Sequence, residues 1–113
     1  MTVYSRGDVV LVPFPFTDLS DTKRRPALVI STDHYNRSCP DVIVAQITSR
    51  VAAPPRPGDH RVELWEEAGL LAPSLVRARV TTLLQSIVLR RLGTLSVSDL
   101  AGVDEGLRQA LEL

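Results

Sequence analysis

Two uncharged, mostly β-branched runs stand near the start of the chain, Val-Val-Leu-Val at residues 9–12 and Ala-Leu-Val-Ile at residues 27–30. Continuous apolar runs of this length predict strands buried on both faces, because a strand with one wet face would alternate. Gly7-Asp8 predicts a turn ahead of the first run. Pro26 predicts the entrance of the second strand, where a missing N–H does least harm. Between the runs lie Pro13, Pro15 and the basic triplet Lys23-Arg24-Arg25. A connection of about 13 residues is long for a small domain, and such loops are generally functional or disordered. Phe14 and Phe16 argue for order, since aromatic side chains hold a loop onto a core. The expectation is an ordered cationic flap that delivers Arg25 to the head of the second strand.

Further along, residues 31–37 are polar and predict a short helix capped by Ser31 or Thr32. Cys39-Pro40-Asp41 predicts a turn, and residues 42–47 a third strand running into Thr48-Ser49-Arg50. The proline-rich stretch 51–58 predicts a rigid surface connection rather than bait for a polyproline-binding domain. Residues 60–64 alternate like a half-buried strand, and Gly69 is suited to close a helical turn begun at Trp65. Residues 73–84 predict a longer strand with Val76, Ala78 and Val80 on one face and Arg77, Arg79 and Thr81 on the other. Residues 87–95 predict a last short strand or turn. Ser96 followed by Asp99 matches a capping box, and Leu100, Val103, Leu107 and Leu111 recur at helical spacing. Gly102 and Gly106 weaken that helix by about 1 kcal/mol each, so packing must hold it. Many short strands with one terminal helix predict a mainly β, α+β fold. It would be a small, twisted, antiparallel, partly closed barrel with a short helix and a C-terminal helix.

Composition narrows this. The chain has 113 residues, which suits a single domain over 1–113, and its aromatic content of 4% makes the core aliphatic. One cysteine, Cys39, excludes an internal disulfide and fits a cytoplasmic protein. The first residues lack the apolar stretch of a signal peptide, and no uncharged run approaches the roughly 18 residues of a membrane span. Lys and Arg balance Asp and Glu at 13 each, yet the charge is unevenly spread. Residues 74–95 hold four arginines and no acid, whereas residues 96–113 hold four acids and one arginine. A cationic middle suits a nucleic acid and equally suits a solvated surface.

Most catalytic chemistries lack their residues. There is no phosphate-binding glycine loop with lysine, no cysteine and histidine spacing for zinc, no G-x-S-x-G elbow and no acid cluster for two metals. His34 and His60 are expected at the surface. No metal and no cofactor are expected. What remains is arginine and hydroxyl. Arg25 opens the second strand while Thr48 and Ser49 close the third. In an antiparallel pair those ends share one edge of the sheet, where a guanidinium fork and a hydroxyl could hold a phosphate.

The order GDVVLVPFPFTDLS, KRRPALVIS, VAQITS, GLLAPSLVRARVTTL and RRLGTLS, followed by the terminal helix, resembles the MazF/PemK toxins of bacterial toxin–antitoxin pairs. The resemblance runs over nearly the whole chain. It implies a plasmid-maintenance-toxin-like barrel that dimerises, and a metal-independent endoribonuclease cutting single-stranded RNA at short motifs. It also implies a cognate antitoxin laid over an RNA groove at the dimer interface. Arg25 matches the arginine taken as catalytic, directly before the proline. Thr48 matches the catalytic or phosphate-contacting hydroxyl, with Ser49 beside it, and Arg77 matches a second arginine that touches RNA. Arg24, Arg79 and Phe16 complete the expected RNA-binding set. Phe14 and Phe16 either stack bases or pack the loop on the core. Two departures stand out. Arg79 occupies a position where many members carry an acid, and Thr17 and Asp18 stand where members have a histidine or glutamate, so the general base is unassigned. Arg79 also motivates a second reading, a barrel that binds RNA without cutting it. A third is a barrel of the same kind directed at gyrase or another protein.

Overall fold

The computed structural model describes residues 3–14 and 23–113, with Phe14 described by its backbone alone. Six strands are described: β1 (Asp8–Phe14), β2 (Lys23–Val29), β3 (Asp41–Thr48), β4 (His60–Arg61), β5 (Leu75–Leu84) and β6 (Arg90–Thr94). They form one sheet in the order β4-β5-β3-β2-β1-β6, and every neighbouring pair is antiparallel. Helix α1 (Asp33–Ser38) joins β2 to β3, and α2 (Val97–Leu111) follows β6. The sheet curls until the turn after β4 meets β6 across the gap between the two edges. A Cβ on Gly69 would lie 2.1 Å from the Leu92 carbonyl oxygen, and one on Gly93 would lie 2.4 Å from that of Ala68. Only glycines let these backbones approach so closely, and Gly69 also turns the chain at φ +81°. The result is the partly closed antiparallel barrel that the strand pattern predicts.

Both apolar runs are buried on both faces. Val9 and Leu28 point into a core with Ala45, Ile47, Val76 and, from α2, Val103 and Leu107. Val10, Val12, Ala27 and Val29 fill a second core on the other face with Tyr4, Val42, Val44 and Val88.

The boundaries of the second strand need correction. Arg25 does not sit at a strand head below a loop. β2 already begins at Lys23, and the basic triplet pairs along β1 as Phe14 with Lys23, Pro13 with Arg24 and Val12 with Arg25. Pro26 therefore stands inside a strand. It is tolerated because β3 joins β2 only from Ala27 onward, so Pro26 has no ladder to break on that side. Pro13 is placed alike, past Leu11, where the β6 ladder ends. The remainder of the expected flap, residues 15–22 with Phe16, Thr17 and Asp18, lies outside the described residues.

Two further expectations shift. The strand over residues 60–64 shrinks to His60–Arg61, because the next donors find another acceptor. After Val62 N–H reaches the Ser74 carbonyl at 3.0 Å, the Asp99 carboxylate takes the N–H groups of Glu63 at 2.9 Å and Leu64 at 3.0 Å. Along β5 the expected split of faces holds only in part. β3 advances two residues from Ala45 to Ile47 while β5 advances four from Val80 to Val76, an irregularity that puts Val80 in the open and leaves Arg77 largely covered.

The terminal helix is capped as expected, with Ser96 Oγ accepting from Asp99 N–H at 3.1 Å. Thr32 caps α1, accepting from Tyr35 N–H at 3.1 Å, and Ser31 turns inward instead to Asn36. The glycines of α2 are dents for its neighbours. A Cβ at Gly102 would lie 2.2 Å from the His60 ring, and one at Gly106 would lie 2.4 Å from the Gly58 carbonyl oxygen. The apolar stripe ends one turn early, since Leu111 is 53% exposed.

Candidate functional site

The ends of β2 and β3 open into a cavity of about 710 Å³. Arg24, Arg25, Thr48 and Ser49 all line it, together with Lys23. The register explains their convergence. The β2–β3 ladder ends with Ala27 against Gln46, and Arg25 and Thr48 each lie two residues past that last pair, at the same end of the two strands. Lys23 and Arg24 are exposed, Arg25 is half-buried and Ser49 is exposed. Thr48 is 8% exposed and remains anchored to β5 through its pairing with Leu75. Its hydroxyl oxygen accepts from Arg50 N–H at 3.2 Å, which orients the hydroxyl and leaves its proton to donate.

The opposite wall is the segment Gly69 to Ser74. Leu70 is buried in the core and its N–H bonds to the Trp65 carbonyl at 3.0 Å. Ser74 is buried, with its hydroxyl on the Ala72 carbonyl at 2.8 Å. Leu71, between these anchors, is 99% exposed at the lip. Among the described residues the lining includes four cationic side chains, Lys23, Arg24, Arg25 and Arg90, and no acid. Such a basket suits a phosphodiester, because guanidinium forks match its oxygens. Among the described residues no group of three or more His, Cys, Asp or Glu is placed to hold a metal ion. No described helix is long and apolar enough to cross a membrane.

Arg77 and Arg79 are not in that lining. Arg77 stands against Asp59, Nε to Oδ1 at 3.5 Å, with side chains only 13% and 5% exposed. Arg79 lies on the exposed part of β5. In the sequence Arg90 is one charge among four. The missed signal was the alternation of β6, which gives adjacent Arg90 and Arg91 opposite faces. Arg91 turns to Asp8 at 3.1 Å and lies 6.0 Å from the Tyr4 ring centroid, whereas Arg90 turns to the cavity.

His34 is exposed as expected, whereas His60 is partly covered, its side chain 20% exposed. Its Nε2 lies 2.8 Å from Asp99 Oδ1, beneath α2 and away from the cavity. Asp99 is 1% exposed. Burial alone would push its carboxyl up, but the N–H groups of Glu63 and Leu64, the His60 ring and the Ser96 hydroxyl together outweigh that and hold it below the usual carboxylate value. Asp104 likewise turns to Arg6, so the acidic tail is partly consumed by internal pairs.

The sequence profile of the PemK-like, MazF-like toxins of type II toxin–antitoxin systems matches residues 5–111. The chain is 34% identical over 114 residues to endoribonuclease MazF6 of Mycobacterium tuberculosis H37Rv, covering 98% of this chain and 99% of the relative. Endoribonuclease MazF2 of Mycobacterium bovis matches with the same identity and coverage. Among solved structures, an endoribonuclease in complex with its cognate antitoxin from a mycobacterial species superposes with a TM-score of 0.81 at 20% identity, over 97% of this chain and 96% of that one. MazF from Deinococcus radiodurans superposes with a TM-score of 0.77 at 27% identity over the full length of both.

Proposed function

This chain belongs to the PemK-like, MazF-like toxin family of type II toxin–antitoxin systems, and from that premise we propose that it is an endoribonuclease toxin that cuts single-stranded RNA at a short motif without a metal. A cognate antitoxin would hold it in check, as the antitoxin complex of its mycobacterial structural neighbour suggests. In this reading residues 1–113 act as one barrel domain, two copies pair, and the reaction takes place in the cytoplasm.

The observation that carries the reading is the shared cavity of Arg25 and Thr48, at the same end of neighbouring strands and ringed by cations with no acid among its described lining residues. RNA brings its own nucleophile. A ribose 2′-OH beside the scissile phosphate attacks phosphorus, the bond to the departing 5′ oxygen breaks, and the products are a 2′,3′-cyclic phosphate and a 5′-OH. Negative charge accumulates on the non-bridging oxygens along the way. A fixed guanidinium there is expected to contribute roughly 100- to 1,000-fold, the value of one oxyanion-hole donor. Arginine stays charged in proteins and neither takes nor gives up a proton readily, so Arg25 acts by stabilising charge, while the proton lost by the 2′-OH and the one gained by the departing 5′ oxygen are exchanged with water. Thr48, with its oxygen engaged by Arg50 N–H, donates to and orients the phosphate. Lys23 and Arg24 attract the strand, and Ser49 contacts it at the rim.

The test is a long single-stranded RNA incubated with the protein in EDTA, beside the Arg25→Ala variant. Wild type is expected to cut and leave cyclic-phosphate ends, with Arg25→Ala slower by roughly 100- to 1,000-fold. Equal cutting by both would remove Arg25 from the mechanism. Binding with steep salt dependence and no product would favour the non-cutting barrel that Arg79 motivates.

A further inference from the structure

We propose that Arg90 is a second phosphate-binding residue of this site, holding a backbone phosphate further along the RNA than the one that is cut; the proposal rests on the RNA reading above and extends it to the far side of the sheet. Three observations converge on Arg90. The first is register. Leu11 of β1 pairs with Arg90 of β6 on one side and with Pro26 of β2 on the other, and all three line the cavity. One row of side chains thus carries the cavity floor from β2 to β6. The second is charge partnership. Arg6, Arg77, Arg91 and Arg108 stand in ion pairs with Asp104, Asp59, Asp8 and Glu105. Among the described residues Arg90 is exposed, has no ion pair, and shares its cavity with no acid. The third is distance. β6 lies three strand positions from β3, roughly 14 Å at about 4.8 Å per strand. That is too far for Arg90 to share the phosphate held between Arg25 and Thr48 while lying over its own strand. A single RNA strand crossing the strand ends from β3 toward β6 reaches Arg90 at another phosphate. Between the two cations the floor is apolar, with Leu11, Ile47 and Leu92, and can take the faces of a ribose or base.

A phosphate contact away from the reacting bond strengthens binding of substrate and transition state alike, and so raises affinity without raising the maximal rate. The experiment measures binding of an RNA blocked at every 2′ position by O-methyl groups, across a salt series, together with cleavage of the unblocked RNA. One neutralised phosphate contributes about 0.7 to the logarithmic salt slope on a single strand, which amounts to about fivefold in affinity at 0.1 M salt. Arg90→Ala is expected to lose that slope and affinity, raise KM to match and keep kcat within about twofold. Arg90→Lys is expected to restore the slope, because a point charge suffices for it. A minimal substrate with only the scissile phosphodiester should not distinguish Arg90→Ala from wild type. Arg90→Gln keeps the aliphatic stem and gives the same reading if the alanine variant melts early. An unchanged slope and affinity, a loss confined to kcat, or a loss of antitoxin inhibition with RNA affinity intact would each overturn the proposal. Binding to the blocked RNA is read independently of cutting. A wild type that binds but never cuts removes the endoribonuclease reading and leaves the Arg90 contact standing or falling on its own slope.

Discussion

The cavity at the ends of β2 and β3 and the joint between α2 and β4 are both rich in polar chemistry, and they use it in opposite ways. At the joint, both oxygens of the buried Asp99 carboxylate are engaged, by two backbone N–H groups, the His60 ring and the Ser96 hydroxyl. The glycines at 102 and 106 let His60 and Gly58 press into the helix. In the cavity, Lys23, Arg24, Arg25 and Arg90 face a common space with no acid among its described lining residues. Charge that is answered inside the fold contributes to stability. Charge of one sign gathered around an opening is answered by something that binds there. The difference separates the histidine and acid that resemble an active-site pair from the arginines and threonine that line the cavity.

The largest effect that would sharpen this contrast is on stability. Asp99→Ala strips four donors of their acceptor at once. Breaking a buried, charged network of this kind costs about 3–5 kcal/mol, enough to lower Tm by well over 10 °C in a chain of this size. Cleavage per folded molecule, measured well below Tm, is expected to be unchanged. Lys23→Ala and Arg24→Ala, at exposed positions, are expected to stay within about 0.5 kcal/mol of wild type in the same melt while weakening RNA binding. If Asp99→Ala melted with wild type but cut poorly, the two regions would have to exchange roles.

Gly106→Ala gives a smaller effect on the same side. In an isolated helix the change would gain about 1 kcal/mol. Here the new Cβ would meet the Gly58 carbonyl oxygen at 2.4 Å, and a backbone atom cannot swing aside as a side chain can. The expected outcome is a net loss of about 1–3 kcal/mol, the usual cost of forcing atoms into a packed contact. A stabilised variant would show that the loop at Gly58 yields, and that helix packing there is looser than the distances imply.

How much of this could be read from the residues differs between the two regions. The barrel was legible because its strands are short, apolar and punctuated by proline and glycine, and because Ser96 and Asp99 cap the last helix in a recognisable way. Arg25 and Thr48 were legible as the facing ends of neighbouring strands. The start of β2 was not, since a basic triplet followed by proline reads as loop. What overrides that reading is the β1 ladder, which runs on past Pro13 where no other strand competes. His60 was misjudged because its partner lies 39 residues away, and nothing local announces a carboxylate that arrives from another element. Alternation along β5 puts Arg77 on one face with Arg79 and Thr81, and its RNA contact is implied by the family resemblance alone. The irregularity opposite Ala45 and Ile47, together with Asp59 across the sheet, comes from pairing that one strand's sequence does not contain.

The smallest expected effect tests the joint through protons alone. The Asp99 carboxyl is held below its ordinary value, so between that lowered value and the ordinary value of about 4 the unfolded chain binds the proton more readily than the folded one. Stability from this group is therefore fully present above about pH 4 and drains away as the pH falls through the folded value. Protonated Asp99 keeps its shape and one acceptor oxygen, so the loss is expected to be smaller than for alanine. Urea unfolding of wild type from pH 6 down to pH 3, beside Asp99→Asn, isolates the term. The asparagine variant starts less stable, because its amide turns a donor toward donors, but it has no carboxyl at this position to titrate. The gap between the two proteins should therefore narrow as the pH drops below about 4. A gap that stayed constant down to pH 3 would mean that the donors around Asp99 do no more than offset its burial. The joint would then owe its strength to the close contacts at Gly102 and Gly106.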